Sequence, residues 1–196
     1  MKFTKTLLVA ALLATGAIHA SAETITFEGL ADHSPITSNY GGLSWSNFSA
    51  YNTTGTSTSG YLNGVVSGST VAFNSFANPA SISSSTAFTL NNAFFTGAWN
   101  NGLTIHVTGT GATNYSTDIV VNSTAPTNYV FNWTGLTSVH FSSFGGTPAG
   151  YSGSGAHFAM DNLTINVAAV PEPETYALLL AGLGIIGAAA RRRKAV

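Results

Sequence analysis

Trp99-Asn100-Asn101-Gly102-Leu103-Thr104-Ile105-His106-Val107-Thr108 is the stretch that decides the fold class. Leu103, Ile105 and Val107 alternate with Thr104, His106 and Thr108. This period of two puts apolar side chains on one face of a strand and polar ones on the other. The Asn-Gly pair just ahead of the run is the strongest short hairpin signal a sequence offers, because both residues tolerate the positive φ that a tight hairpin turn demands. The spacing predicts that the strands on either side of this turn are antiparallel neighbours.

The same alternation continues in both directions. Ile25 and Phe27, Leu43 and Trp45, Val71 and Phe73, and Phe88 and Leu90 precede it; Ile119 with Val121, Tyr129 with Phe131 and Trp133, and Val139 with Phe141 follow. Nowhere from Glu23 to Ala169 do apolar residues recur at helical spacing over a dozen positions, so strands dominate. Some nine or ten of them, joined by Gly- and Ser-rich loops, predict an all-β domain: an antiparallel β-sandwich of the jelly-roll kind. No fixed period marks a solenoid. The polar stretches Ala50 to Gly60 and Ala149 to Gly155 read as mobile tips.

Charge is distributed unevenly. All six Lys and Arg residues sit at positions 2, 5 and 191 to 194, so residues 23–169 contain none. The acids there are Glu23, Glu28, Asp32, Asp118 and Asp161, a net charge of −5 with His neutral. A domain without cations cannot neutralise phosphates, the main source of nucleic-acid affinity, so nucleic acid is excluded as a partner. Arg clamps and catalytic lysines are missing too, which removes phosphoryl transfer and Schiff-base chemistry. With no cysteine, stability must come from packing, hydrogen bonds or a bound ion.

The two ends carry addresses rather than fold. Lys2 and Lys5, an apolar run from Leu7 to Ile18 and the small triplet Ala20-Ser21-Ala22 read as a signal peptide over residues 1–22, cut by signal peptidase before Glu23. At the other end Val170-Pro171-Glu172-Pro173-Glu174 breaks any preceding strand. An apolar stretch from Tyr176 to Ala190 then runs into Arg191-Arg192-Arg193-Lys194. At about 1.5 Å per residue such a helix covers roughly 22 Å, a marginal transmembrane helix against a hydrocarbon core of about 30 Å. The flanking cations place its C-terminus in the cytoplasm. Gly182, Gly184 and Gly187 satisfy the G-x-G-x-x-G string, but the strand, helix and acidic residue of a dinucleotide-binding unit have no room there. Small residues that let a membrane helix pack closely are the better account.

This order of Val170, Pro171, Glu172, Pro173, apolar helix and Arg191, Arg192, Arg193 resembles the PEP-CTERM sorting signal. The resemblance covers residues 170–196 alone. It implies a tail recognised by exosortase, a membrane protease of Gram-negative bacteria that make exopolysaccharide. It also implies transient anchoring in the inner membrane, then removal of the tail and delivery to the cell surface or extracellular matrix. About the domain between the two addresses it implies nothing.

Within residues 23–169 the chemistry-bearing residues are sparse. No H-x-H or H-x-x-x-H pair offers zinc-ligand spacing, and His106 and His140 fall on polar phases of strands. There is no G-x-S-x-G elbow and no Ser-x-x-Lys. Glycoside hydrolysis needs two facing carboxylates, and no pattern locates a cleft between them. Trp45 and Trp133 share the inward phase of their strands and read as core, which leaves the loop tyrosines Tyr51 and Tyr151 as candidates for a binding tip. In the last strand the apolar phase changes from Phe158 and Met160 to Leu163, Ile165 and Val167, so a β-bulge is expected at Asp161-Asn162. The start Phe27-Glu28-Gly29-Leu30 and the end Met160-Asp161-Asn162-Leu163 loosely resemble jelly-roll sugar-binding modules. That resemblance implies a structural calcium ion between the terminal strands, with Glu28 and Asp161 as its carboxylates and Asn162 or Asp32 filling the shell.

The resulting expectation is an exported, non-catalytic surface or matrix protein associated with exopolysaccharide. The alternative is a lectin-like carbohydrate-binding module, and the third reading is a matrix glycoside hydrolase.

Overall fold

A computed structural model describes residues 22–166. The signal peptide and the sorting tail, including the expected transmembrane helix and the positions Val170 to Pro173 and Arg191 to Arg193, lie outside the described residues. Among the described residues no helix is long and apolar enough to cross a membrane.

The described chain is almost entirely strand: β1 (Glu23–Ile25), β2 (Ser44–Ser46), β3 (Phe48–Asn52), β4 (Thr70–Asn74), β5 (Ala80–Gly97), β6 (Asn100–Gly111), β7 (Tyr115–Val121), β8 (Thr127–Pro148) and β9 (Phe158–Ile165). Two short helical turns interrupt them, α1 (Gly60–Asn63) and a 3-10 turn (Ser75–Ala77). All pairings are antiparallel, in the order β3-β4-β9-β5-β8-β6-β7, with β1 beside β9 and β2 beside β5.

Two long strands turn this one sheet into a sandwich-like body. The first part of β5 (Ala80–Ser83) pairs with Ser138–Phe141 of β8, and the later part (Phe88–Phe95) with Thr127–Leu136, with register shifts between. The second half of β8 then passes to β6, and the later part of β5 passes to β9. The bends let the sheet fold over its own apolar face. Phe141 of β8 lies 6.2 Å from Phe158 of β9, 5.9 Å from Phe95 of β5 and 5.8 Å from Phe48 of β3, ring centre to ring centre. Phe27, Leu90, Leu103, Ile105, Leu136 and Met160 fill the rest of this core and are fully buried. Each such side chain contributes roughly 1.5–3 kcal/mol on leaving water, which explains how a chain without disulfides can hold.

The hairpin expected at Asn101-Gly102 does not form. β8 lies between β5 and β6 in the sheet, so the strands on either side of the pair are not neighbours. The chain instead crosses over at Gly97 to Trp99, where Gly97 N donates to Asn122 O and Ala98 N to His157 O. Gly102 takes its positive φ of 66° inside β6. There Asn101 Oδ1 accepts from Ser123 N and Oγ at 2.9 and 2.8 Å, and Gly102 N donates to Asn122 Oδ1 at 2.9 Å. The pair docks the loop after β7; a tertiary partner has overridden the local turn preference.

The tip expected from Ala50 to Gly60 begins inside β3. Ala50 is completely buried, and the Ser34–Ile36 segment lies along the strand through Ile36 N to Phe48 O and Ala50 N to Ser34 O, both 2.9 Å. In the other expected tip, Ala149 N donates to Trp99 O at 2.8 Å and Tyr151 Oη meets Asn63 Nδ2 at 3.0 Å. The bulge in β9 is present as expected: Asn92 faces Thr164 and Phe94 faces Asp161, two steps on β5 against three on β9, and Asn162 takes φ 48°.

Candidate functional site

The two carboxylates singled out in the sequence come to one loop. β1 leads Glu28 to the loop before β4, where its Oε1 accepts from Ser69 N and Thr70 N at 2.9 and 2.7 Å. The β9 bulge turns Asp161 inward, wholly buried, so that Oδ2 accepts from Val66 N and Ser67 N and Oδ1 from Asn162 N. Burial lifts the Asp161 carboxyl above its ordinary value; the three N–H donors oppose that, and the nearby Glu28 charge adds to it. Asn162 Oδ1 accepts from Ser67 Oγ at 2.6 Å. Asp32 stands apart from this pair, accepting from Asn52 N at 2.9 Å with His33 Nδ1 2.9 Å from its other oxygen. Among the described residues no three His, Asp or Glu side chains gather as metal ligands do. The partners that the structure gives Glu28 and Asp161 are backbone N–H groups.

The histidines on strands lie where their phase put them: His140 is exposed, and half-buried His106 meets Asp118 Oδ1 through Nδ1 at 2.5 Å. Trp45 is buried, whereas Trp133 is only partly so and stacks on Tyr115. Tyr51 is no tip; it packs between His33 and Tyr61 at 4.9 and 4.8 Å.

A cleft of about 700 Å³ opens where the Pro35–Ile36 segment, β2, β3 and the turn after β4 meet. Trp45, Phe48, Phe73 and Phe76 line it, together with His33 and His157. Phe76 is 85% exposed at backbone φ 57° and ψ 21°, followed by Ala77 at φ 56°. Two successive non-glycine residues in the left-handed region cost on the order of 1–3 kcal/mol each, so the surroundings must hold them there. Asn47 is the clamp. Its Nδ2 donates to Ser75 O, Asn78 O and Pro79 O at 3.1, 3.3 and 3.1 Å, and its own carbonyl accepts from Ser75 N. Ser49 Oγ holds Ser75 Oγ at 2.8 Å, and Asn74 Nδ2 reaches Asn78 O and Ser143 Oγ. Phe76 thus presents its ring to solvent on a strained, clamped turn at the cleft.

The cleft's electrostatics are mild. Its lining contains no Asp, Glu, Lys or Arg. Burial holds the His157 imidazole below its ordinary value, against the pull of the Ser154 backbone. Its Nδ1 is buried without a hydrogen-bond partner. Hydroxyls and amides beside exposed and half-exposed rings can hold an uncharged amphiphilic ligand. Sequence reasoning missed this site because Asn74-Ser75-Phe76-Ala77-Asn78-Pro79 reads only as a turn, and nothing in it shows that the aromatic faces outward.

The PEP-CTERM protein-sorting motif matches residues 169–194, the tail with the proline, apolar and basic parts described above. The chain therefore carries an export-and-sorting signal, whose reader is exosortase. No curated protein matches the chain. Among solved structures it is similar to a carbohydrate-binding module, TmCBM61, in complex with beta-1,4-galactotriose, at 8% identity and a TM-score of 0.33. The match covers 69% of this chain and 97% of that one, and nothing about this chain's ligand follows from it.

Proposed function

We propose that this bearer of a PEP-CTERM signal is a non-catalytic component of the cell surface or exopolysaccharide matrix of a Gram-negative bacterium, and that its domain holds an uncharged saccharide in the cleft at Phe76. In this reading signal peptidase frees the N-terminus and the tail holds the chain briefly in the inner membrane, C-terminus cytoplasmic. An exosortase-type protease then releases it. The observation that carries the binding reading is the 85% exposed phenyl ring fixed on a left-handed turn. A sugar ring has an apolar C–H face and a rim of hydroxyls, the complement of an aromatic surface flanked by Ser46, Asn47, Ser49 and Ser75. Because the turn is already clamped, binding has little ordering entropy to overcome. The absence of Lys and Arg from residues 23–169 argues against an anionic ligand, and the cleft's lack of Asp and Glu argues against a cationic one and for binding without turnover.

Retention of the mature protein on immobilised exopolysaccharide of its host tests this. Saturable retention, released by a soluble fragment of the same polymer, is expected; no saturable retention overturns the binding reading. Hydrolysis of a chromogenic glycoside panel overturns the non-catalytic one.

A further inference from the structure

A second feature lies away from Phe76, where two strand edges face each other. Among the described residues β7 pairs only with β6, which leaves its outer edge unpaired there, and the first half of β8 (Thr127–Trp133) pairs only with β5. Between these edges runs a groove of about 430 Å³ lined by Ser116, Asp118 and Ile119 on one side and Tyr129, Phe131 and Trp133 on the other. Tyrosines bridge it: Tyr129 Oη donates to Val120 O at 2.5 Å, and Tyr115 Oη lies 3.4 Å from both Thr134 N and Thr134 O. Tyr115 and Trp133 stack at 5.1 Å and 9°, and Phe131 meets Trp133 edge-on at 5.0 Å.

We propose that this groove is a second saccharide-binding site, which would make the chain bivalent and able to cross-link matrix polymer. The inference rests on the glycan-binding reading above and extends it to a separate site. Three properties converge on that ligand class. Beyond the Val120 and Thr134 groups that the tyrosines meet, the strand edges offer backbone N–H and C=O groups to a hydrogen-bonding ligand, which an apolar one cannot use. The partly buried rings of Tyr129 and Phe131 add apolar surface that favours a ligand with an apolar face, while Trp133 packs between Tyr115 and Gly109. Asp118 spends Oδ1 on His106 and keeps Oδ2 for ligand hydroxyls, while the absence of Lys and Arg from residues 23–169 disfavours anions. An added peptide strand would need the edges open along their length, and the tyrosine bridges span the gap it would occupy. Two sites on one chain convert weak single contacts into avidity, because the second contact becomes intramolecular once the first has formed.

The test titrates the mature protein with soluble xylan, galactan, mannan and laminarin fragments. It compares wild type with Phe76→Ala, which removes the cleft's ring, and with Ser116→Trp, which fills the groove from an exposed position. Asp118→Asn, which keeps the shape and loses the free carboxylate, is the second groove variant. The expected result is that Phe76→Ala still binds a fragment saturably, that Ser116→Trp and Asp118→Asn in that background weaken it at least tenfold, and that only wild type precipitates the parent polymer. If wild type binds while Phe76→Ala binds nothing, the groove is overturned and the cleft stands. If the groove variants change nothing, the groove is likewise overturned. If wild type binds none of the four, both sites fall together.

Discussion

Glu28 and Asp161, from opposite ends of the domain, grip one loop: Glu28 Oε1 takes the N–H groups of Ser69 and Thr70, and Asp161 Oδ2 takes those of Val66 and Ser67. The loop thereby ties the start of the fold to β9. The two carboxylates act in different surroundings, since Asp161 is wholly buried and Glu28 is exposed. Replacing Asp161 by Ala removes the acceptor of three part-buried N–H groups, on Val66, Ser67 and Asn162. Losing such an acceptor costs about 1–3 kcal/mol, so Asp161→Ala is expected to lose about 2 kcal/mol in urea unfolding. Water can replace the Glu28 side chain, and Glu28→Ala should lose only about 1 kcal/mol.

Gly68 sits inside this grip. It takes φ 59°, and a Cβ there would fall 2.2 Å from the Glu28 carboxyl carbon. Gly68→Ala is expected to destabilise by about 1–2 kcal/mol, part from the left-handed backbone and part from displacing Glu28. A double-mutant cycle separates the two: in a Glu28→Ala background the cost of Gly68→Ala should shrink measurably.

Asp161 also sets a pH dependence. Its carboxyl is held above the ordinary value of 3.8, so the native state binds its proton more readily than the unfolded chain. Its favourable contribution is complete below 3.8 and is lost as pH rises through the native titration. Asp32 has the opposite sign. The Asn52 N–H, with smaller help from His33, holds it below 3.8, and its contribution is lost as pH falls. The difference in melting temperature between wild type and Asp161→Asn is therefore expected to move against wild type between pH 4 and 7; a constant difference would contradict the account.

The loop grip bears on calcium as well. Backbone N–H groups face three of the carboxylate oxygens a cation would need, and a hard cation requires six to eight oxygens. Thermal unfolding in millimolar calcium and in chelator decides the site expected from Glu28 and Asp161. A midpoint that rises with calcium would establish an ion bound to the native state, and equal midpoints would remove that site.

Much of this arrangement was legible in the sequence. Alternation along Leu103 to Val107 reported the strands, and the change of phase after Met160 located the β9 bulge, because a period of two cannot slip without moving every side chain to the other face. Proline, apolar run and Arg cluster identified the tail. What stayed hidden depends on distant partners. Asn101-Gly102 has a local turn preference, yet Ser123 and Asn122 draw it into a strand. β3 reads as a loop because Ser49, Ala50 and Asn52 carry little apolar signal; Ala50 is nonetheless buried in a strand flanked by the Ser34–Ile36 segment and β4. The outward ring of Phe76 depends on Asn47, 29 positions earlier, and no short-range pattern records such a clamp.

The most direct test of the account is calorimetric titration of the mature protein with soluble fragments of its host exopolysaccharide, comparing wild type, Phe76→Ala and Phe76→Trp. Phe76 is 85% exposed, so both variants should stay within about 0.5 kcal/mol of wild type in stability, and any change in affinity then belongs to the cleft. The account predicts saturable binding by wild type, a loss of about tenfold or more in Phe76→Ala, equivalent to about 1.4 kcal/mol, and retention in Phe76→Trp. Equal affinity of wild type and Phe76→Ala, or no saturable binding at all, would contradict it.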